Sequence, residues 1–151
     1  MYSLTHVTNS VLKRANDTGA DVTPMKLQKL LYFLYKAYLK QTNGDPLFSE
    51  RFQPWKYGPV LSDVYYAFND YRANFIKRYY PDADGISRYV TDAGDPVFRL
   101  CLADTWRKYS DYSGIDLSIM THRDDSAWTK AISRGSFVLF DEDILHEPDF
   151  C

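Results

Sequence analysis

His122 is the residue of this chain whose surroundings most resemble a catalytic site. Asp124, Asp125 and Ser126 follow it closely, and a histidine beside a carboxylate and a hydroxyl group is the set used in nucleophilic hydrolysis. A hydrolase serine is expected on a Gly-x-Ser-x-Gly turn, and the sequence contains no such turn. We therefore expect His122 to order the turn that presents Trp128, through hydrogen bonds of its two ring nitrogens.

Other routes to catalysis have weaker support. Cys101 stands between Leu100 and Leu102, a setting typical of an inert buried thiol. The three histidines show no spacing of three or four residues that would place two metal ligands on one helix face, and no glycine-rich phosphate loop occurs. We expect a protein that is not an enzyme, with no catalytic residue, no metal and no cofactor.

A basic helix face is the first candidate for partner binding. Projected at about 100° per residue, the helix predicted to begin at Pro24 separates into an apolar stripe and a face on the far side. That second face is formed by Lys26, Lys29, Phe33, Lys36 and Lys40. An aromatic ring among lysines is a plausible contact site. The alternative is that the lysines are ordinary exposed helix formers and that Phe33 tucks under a neighbouring helix.

A second candidate is the aromatic corner at Trp55 and Tyr57, which precedes Gly58 and Pro59. Rings beside a Gly-Pro corner usually pin that corner to the core, and Gly58 suits close packing or a positive φ. In the alternative interpretation Trp55 and Tyr57 anchor an interface, where both residue types are enriched.

Four segments occur in an order that is typical of one family. They are Thr23-Pro24-Met25-Lys26-Leu27-Gln28-Lys29-Leu30-Leu31-Tyr32, Gly44-Asp45-Pro46-Leu47-Phe48, Trp55-Lys56-Tyr57-Gly58-Pro59-Val60, and Thr121-His122 followed by Ala127-Trp128. Together they resemble the Panacea domain, the SocA-like antitoxins of bacteria and phages. The residues that carry the motif are Thr23, Pro24, Gln28, Tyr32, Trp55, Gly58, Pro59, His122 and Trp128.

The resemblance implies a non-enzymatic antitoxin that neutralises a cognate protein toxin by direct contact. One alternative is an adaptor that delivers the bound toxin to a protease, which would then be a second partner. Another is a phage or prophage accessory protein that binds a different host factor. Pro54, where alanine is usual before the tryptophan, departs from the family pattern.

Composition limits the class of protein. A chain of 151 residues is the length of one domain, and 17% aromatic residues can supply a large core. The net charge of −2 lacks the strong basic excess of a dedicated nucleic-acid domain, so no nucleic acid is expected as a partner. No apolar stretch is long enough for a membrane span, and no signal peptide is apparent, so we expect a cytoplasmic protein.

Periodicity predicts a mainly α fold of six or seven helices with a minor β-hairpin or short strands, in a single domain over residues 1–151. Thr23 and Pro24 are the predicted start of the second helix, and Pro59 is the predicted start of the third. The acidic segment 141–149 is interpreted as a solvated terminal helix or tail, or alternatively as a contact for a basic partner. The helices are predicted from residue 4 to a stop at Gly19, from Pro24 to near Asn43, and at 59–68, 97–110, 113–120 and 126–133, with an extended segment at 48–55 and a hairpin from 75–80 and 87–91.

Overall fold

The computed structural model describes residues 1–91 and 94–149, which form seven α-helices and one two-stranded hairpin. The helices are α1 (Leu4–Thr18), α2 (Pro24–Thr42), α3 (Ser62–Phe68), α4 (Pro96–Tyr109), α5 (Gly114–Thr121), α6 (Ala127–Arg134) and α7 (Asp141–His146). The strands are β1 (Gln53–Trp55) and β2 (Gly58–Val60), and a 3₁₀ helix (Asn69–Tyr71) follows α3. The predicted mainly α fold with a minor β element is confirmed. None of these helices combines the length and apolar character that a membrane crossing requires.

Local sequence signals set the helix ends. The Thr23 hydroxyl accepts a hydrogen bond from the backbone N–H of Lys26 at 3.2 Å, and Pro24 occupies the first turn of α2, as predicted. Asn43 ends α2 in the left-handed conformation, with φ of 56°. The sequence also offered Asp124 or Asp125 as the cap of α6, but Ser126 caps it, because its hydroxyl accepts from the Thr129 N–H at 3.1 Å.

The hairpin lies elsewhere than predicted. Gly58 and Pro59 belong to β2, which pairs antiparallel with β1, so the predicted helix start at Pro59 is wrong and α3 begins at Ser62. Pro54 and Pro59 face each other in this pair. Both strands of a two-stranded sheet are edges, where a missing N–H is tolerated.

Residues 75–80 and 87–91 form no strands, so the hairpin predicted there is wrong. The Asn9 side-chain amide of α1 donates to the carbonyl oxygens of Tyr80 and Arg88, both at 2.8 Å, and accepts from the Tyr80 N–H at 2.7 Å. The Ser10 hydroxyl accepts from the Val90 N–H at 2.9 Å. Side chains of α1 thus satisfy backbone groups that a hairpin would have paired with each other.

Helix α2 is the centre of the fold. It packs against α1, α3, α4, α5, α7 and β2, and all its residues from 27 to 36 are buried. A helix covered on every side lies in a core rather than at a surface. The polar side chains of this stretch must therefore find partners on the surrounding elements.

The acidic segment provides one of those partners. Glu147 is fully buried and accepts hydrogen bonds from the Tyr32 hydroxyl at 2.9 Å and the Ala127 N–H at 2.8 Å. Its second carboxylate oxygen lies 2.9 Å from the ammonium nitrogen of Lys36, which is also buried. The interpretation of 141–149 as a solvated tail is wrong for Glu147, because this residue ties the segment to α2 and α6 within the same chain.

We expect Glu147→Ala to destabilise the protein by about 3–5 kcal/mol, since it leaves the Lys36 ammonium buried without its carboxylate. Thermal and urea unfolding measure the loss. Glu142→Gln is the matched control, because Glu142 is exposed on α7, and we expect a change within about 0.5 kcal/mol. Equal stability of the two variants would contradict the role given to Glu147.

Candidate functional site

An apolar groove of about 470 Å³ opens beside the β1–β2 hairpin. Its sides come from the start of α2, the hairpin turn, α3 and the 3₁₀ helix. The volume is in the range of ligand sites, which are typically about 300–1,000 Å³. Its lining includes Met25, Lys29, Trp55, Tyr57, Tyr65 and Arg72.

Three side chains bind the backbone of the hairpin turn: Ser118 of α5, His122 directly after α5, and Trp128 of α6. The Trp128 indole N–H donates to the Trp55 carbonyl at 2.7 Å, and the Ser118 hydroxyl donates to the Tyr57 carbonyl at 2.6 Å. One ring nitrogen of His122 lies 2.8 Å from the Lys56 carbonyl oxygen. Three consecutive carbonyl groups are thereby fixed, so the turn presents its side chains on a rigid base.

His122 uses both ring nitrogens, as predicted. The second nitrogen lies 2.6 Å from the Ser118 carbonyl oxygen, and the ring packs against Trp128 with centroids 4.1 Å apart. The turn that it orders is that of Trp55 and Tyr57, and Trp128 helps to hold this turn rather than being presented by it. Both ring nitrogens of His122 therefore lie against backbone carbonyl oxygens, and the residue does not line the groove.

Aromatic rings form the wall of the groove. Trp55 meets Tyr65 of α3 edge to face with centroids 4.9 Å apart, a favourable ring geometry. The Trp55 indole N–H is engaged by the side chain of Gln53 at 2.8 Å. Tyr57 is 57% exposed and Tyr65 is 40% exposed. These rings combine a rigid base with accessible apolar surface, the properties of interface anchors.

Lys29 of α2 lies at the floor of the groove and is only 1% exposed. Its ammonium group donates to the Pro59 carbonyl at 3.0 Å, and no carboxylate of residues 1–91 and 94–149 forms a salt bridge with it. Burial without a counter-charge lowers the pKa of Lys29 to about 7. Lys36, two turns along the same helix, differs because it has the Glu147 carboxylate.

Gln28 and Gly58 bring the hairpin close to α2. The Gln28 amide donates to the Leu61 carbonyl at 3.0 Å and accepts from the Leu61 N–H at 2.9 Å. Gly58 has φ of +112°, and a Cβ there would lie 2.5 Å from the Thr121 hydroxyl and 3.1 Å from Cε of Lys29. A residue larger than glycine would push the hairpin away from the lysine.

The predicted basic face is not an exposed stripe, so the premise of that hypothesis is wrong. Lys29, Phe33 and Lys36 are buried, and Phe33 stacks on Tyr109 of α4 with centroids 4.1 Å apart, as the alternative interpretation anticipated. Lys26 donates to the Ser110 carbonyl, Lys36 to the Pro148 carbonyl and Lys40 to the Glu147 carbonyl. These contacts occupy the lysine head groups within the chain.

The structure brings Lys29, Trp55 and Tyr57 together in one groove, although the sequence assigned them to two separate candidates. Sequence reasoning missed Met25, Tyr65 and Arg72 as groove residues. The adjacent tyrosines Tyr65 and Tyr66 were the available sequence signal, because two neighbouring residues of a helix cannot both face the core. In the structure both rings are exposed. Cys101 is buried, and this burial raises the pKa of its thiol to about 11.

The fold and the groove define a small helical domain with an exposed aromatic cleft. A family model described as antitoxin SocA-like, Panacea domain, matches residues 27–129, which is more than half of the chain. The chain belongs to this family. It is also 38% identical over 63 residues to the antitoxin SocA of Caulobacter vibrioides, a match that spans 42% of this chain and 33% of that relative. No solved structure matches.

We expect Lys29→Met to melt at a higher temperature than the wild type at pH 6. One pKa unit corresponds to about 1.4 kcal/mol, so the drop of the Lys29 pKa from 10.5 to about 7 outweighs one lost hydrogen bond of about 1 kcal/mol. Between about pH 7 and 10.5 the unfolded chain holds a proton that the folded chain has released, so wild-type stability rises across this window relative to the variant.

The advantage of Lys29→Met should therefore be largest below pH 7 and shrink towards pH 9.5, as followed by thermal melts at several pH values. Lys13→Met is the control, because Lys13 is partly exposed and paired with Asp17. A pH-independent difference between Lys29→Met and the wild type would contradict this account of Lys29.

We expect Gly58→Ala to lose about 1–3 kcal/mol, because an L residue is strained at its φ and the new methyl group meets Thr121. Gly85→Ala separates the two causes, since Gly85 also has a positive φ, of +77°, but has nothing within 4 Å of a built Cβ. Urea unfolding should rank Gly58→Ala below Gly85→Ala. The reverse order would mean that close packing at Gly58 is unimportant.

Proposed function

We propose that this protein is a non-enzymatic antitoxin that neutralises a protein toxin by binding it directly, with the aromatic groove as the contact surface. Membership of an antitoxin family supports the class of function. The observation that carries the site is the groove itself, in which exposed rings stand on a base fixed by three hydrogen bonds. Such a surface pays little conformational entropy when it binds a partner.

Binding without catalysis agrees with the state of the two groups that could react. The Cys101 thiol is buried within the α2–α4 core, and both nitrogens of His122 lie within 2.8 Å of backbone carbonyl oxygens. The groove rings, in contrast, have no function in the fold that requires their exposure. Tyr57 is the clearest case, because its ring is more than half exposed at the tip of the hairpin.

The partner for the test is a protein encoded by a neighbouring gene that stops growth when it is expressed alone. We expect the wild type to restore growth when both are co-expressed, and the double variant Tyr57→Ala/Tyr65→Ala to fail at equal protein level. Truncation of two interface anchors should weaken binding of the purified proteins by tenfold or more, because a single anchor can contribute about 2 kcal/mol.

Tyr89→Ala/Tyr112→Ala is the matched control, since these tyrosines are 48% and 37% exposed and do not line the groove. It should restore growth as the wild type does. Full rescue by Tyr57→Ala/Tyr65→Ala would move the contact surface away from the groove, and failure of the wild type to bind the toxin would contradict the proposed function.

A further inference from the structure

Lys29 is a buried amine that the described part of the chain provides with one carbonyl oxygen and no carboxylate. Removing an ammonium group from water costs several kcal/mol, and a single carbonyl oxygen recovers only part of this. The same helix shows the usual solution at Lys36, which has a buried carboxylate at 2.9 Å. At Lys29 the ammonium uses one hydrogen bond, to Pro59, out of the three that it can donate.

Space for a partner exists on the groove side of Lys29. The lysine lines the groove together with Trp55, Tyr57 and Tyr65, but its side chain is only 1% exposed, so a carboxylate that enters between the rings reaches the ammonium group only when the covering side chains move apart. The volume of about 470 Å³ accepts a large side chain and a few neighbouring backbone atoms.

The rim of the groove has the same sign of charge as its floor. Lys56 and Arg72 both line it and are exposed, and no Asp or Glu belongs to its lining. Arg72 is held at φ of 55° and ψ of −113°, outside the regions that non-glycine residues favour. Strain of this kind is concentrated at binding and active sites.

We propose that the groove binds a segment of the partner protein in which a carboxylate stands next to a large apolar side chain. The apolar side chain packs between Trp55, Tyr57 and Tyr65, and the carboxylate reaches Lys29. This inference rests on the proposed function, because it states the chemistry of the toxin segment that the groove recognises. Lys29 is then a specificity determinant whose cost to the free protein is offset in the complex.

A protein segment fits these observations better than a nucleic acid. The aromatic and cationic lining could also hold a single strand, but the chain as a whole carries a net charge of −2. Binding to a phosphate backbone draws on a basic surface along several nucleotides. Here the central cation is enclosed at the floor of one groove, a position suited to a single carboxylate.

The test uses a displayed library of random dodecapeptides, selected in parallel on the wild type, Lys29→Met and Lys13→Met. We expect the wild type and Lys13→Met to enrich peptides with Asp or Glu beside Leu, Met, Phe or Trp. Selection on Lys29→Met should retain the apolar preference and lose the acidic one. Because Lys29→Met is expected to be more stable than the wild type, unfolding would not explain that loss.

A double-mutant cycle on the strongest peptide makes the measurement quantitative. Replacement of its acidic residue by the matching amide should weaken binding to the wild type at least tenfold and to Lys29→Met less than twofold. Calorimetric titration gives both ratios. Coupling of this size assigns the carboxylate to Lys29 rather than to the exposed rim cations.

Three results of the peptide selection would overturn the inference: no enriched peptide, enriched peptides without an acidic residue, or an acidic preference that survives in Lys29→Met. Tighter binding of a single-stranded dodecanucleotide than of any selected peptide would assign the groove to nucleic acid instead. Rescue from the toxin separates the two proposals. Full rescue by Lys29→Met with failure of Tyr57→Ala/Tyr65→Ala would remove the carboxylate and leave the antitoxin function in place.

Discussion

The burial of α2 on every side is the constraint on which the rest of this structure depends. A surface helix can leave its polar side chains in water, whereas the central turns of α2 cannot. The polar side chains there are tied to the elements that surround the helix. Gln28 binds the segment between β2 and α3, Lys29 binds β2, Tyr32 and Lys36 bind Glu147 after α7, and the apolar residues between them form the core.

The same constraint explains how a short hairpin can hold exposed aromatic rings in fixed positions. Two strands of three residues have little stability alone. Here the carbonyl groups of the turn are bound by side chains of α5, α6 and the residue after α5. Lys29 and Gln28 of α2 bind the backbone of the second strand and of the residue that follows it. Tyr57 can therefore be exposed and still be well positioned, which is the arrangement an interface anchor requires.

Lys29 and Lys36 are two buried lysines of one helix that differ in their surroundings. Both are lysines of α2 with almost no exposure, but Glu147 completes the environment of Lys36 within the chain. The environment of Lys29 is completed only in part, at the floor of an open groove. A residue that costs stability in this way is typical of a site at which binding, rather than folding, sets the requirement.

The sequence by itself determined the class of fold, most helix boundaries and the motif residues, because caps, prolines and 3.6-residue periodicity act locally. The family resemblance marked Trp55, His122 and Trp128 as motif residues, but it did not indicate that they meet at the hairpin turn. The tertiary structure decided which face of α2 is covered, where the hairpin forms and that Glu147 is buried. A helical projection places Lys29 and Lys36 on a face, but burial depends on what packs against that face, and those neighbours are up to about a hundred residues away along the chain.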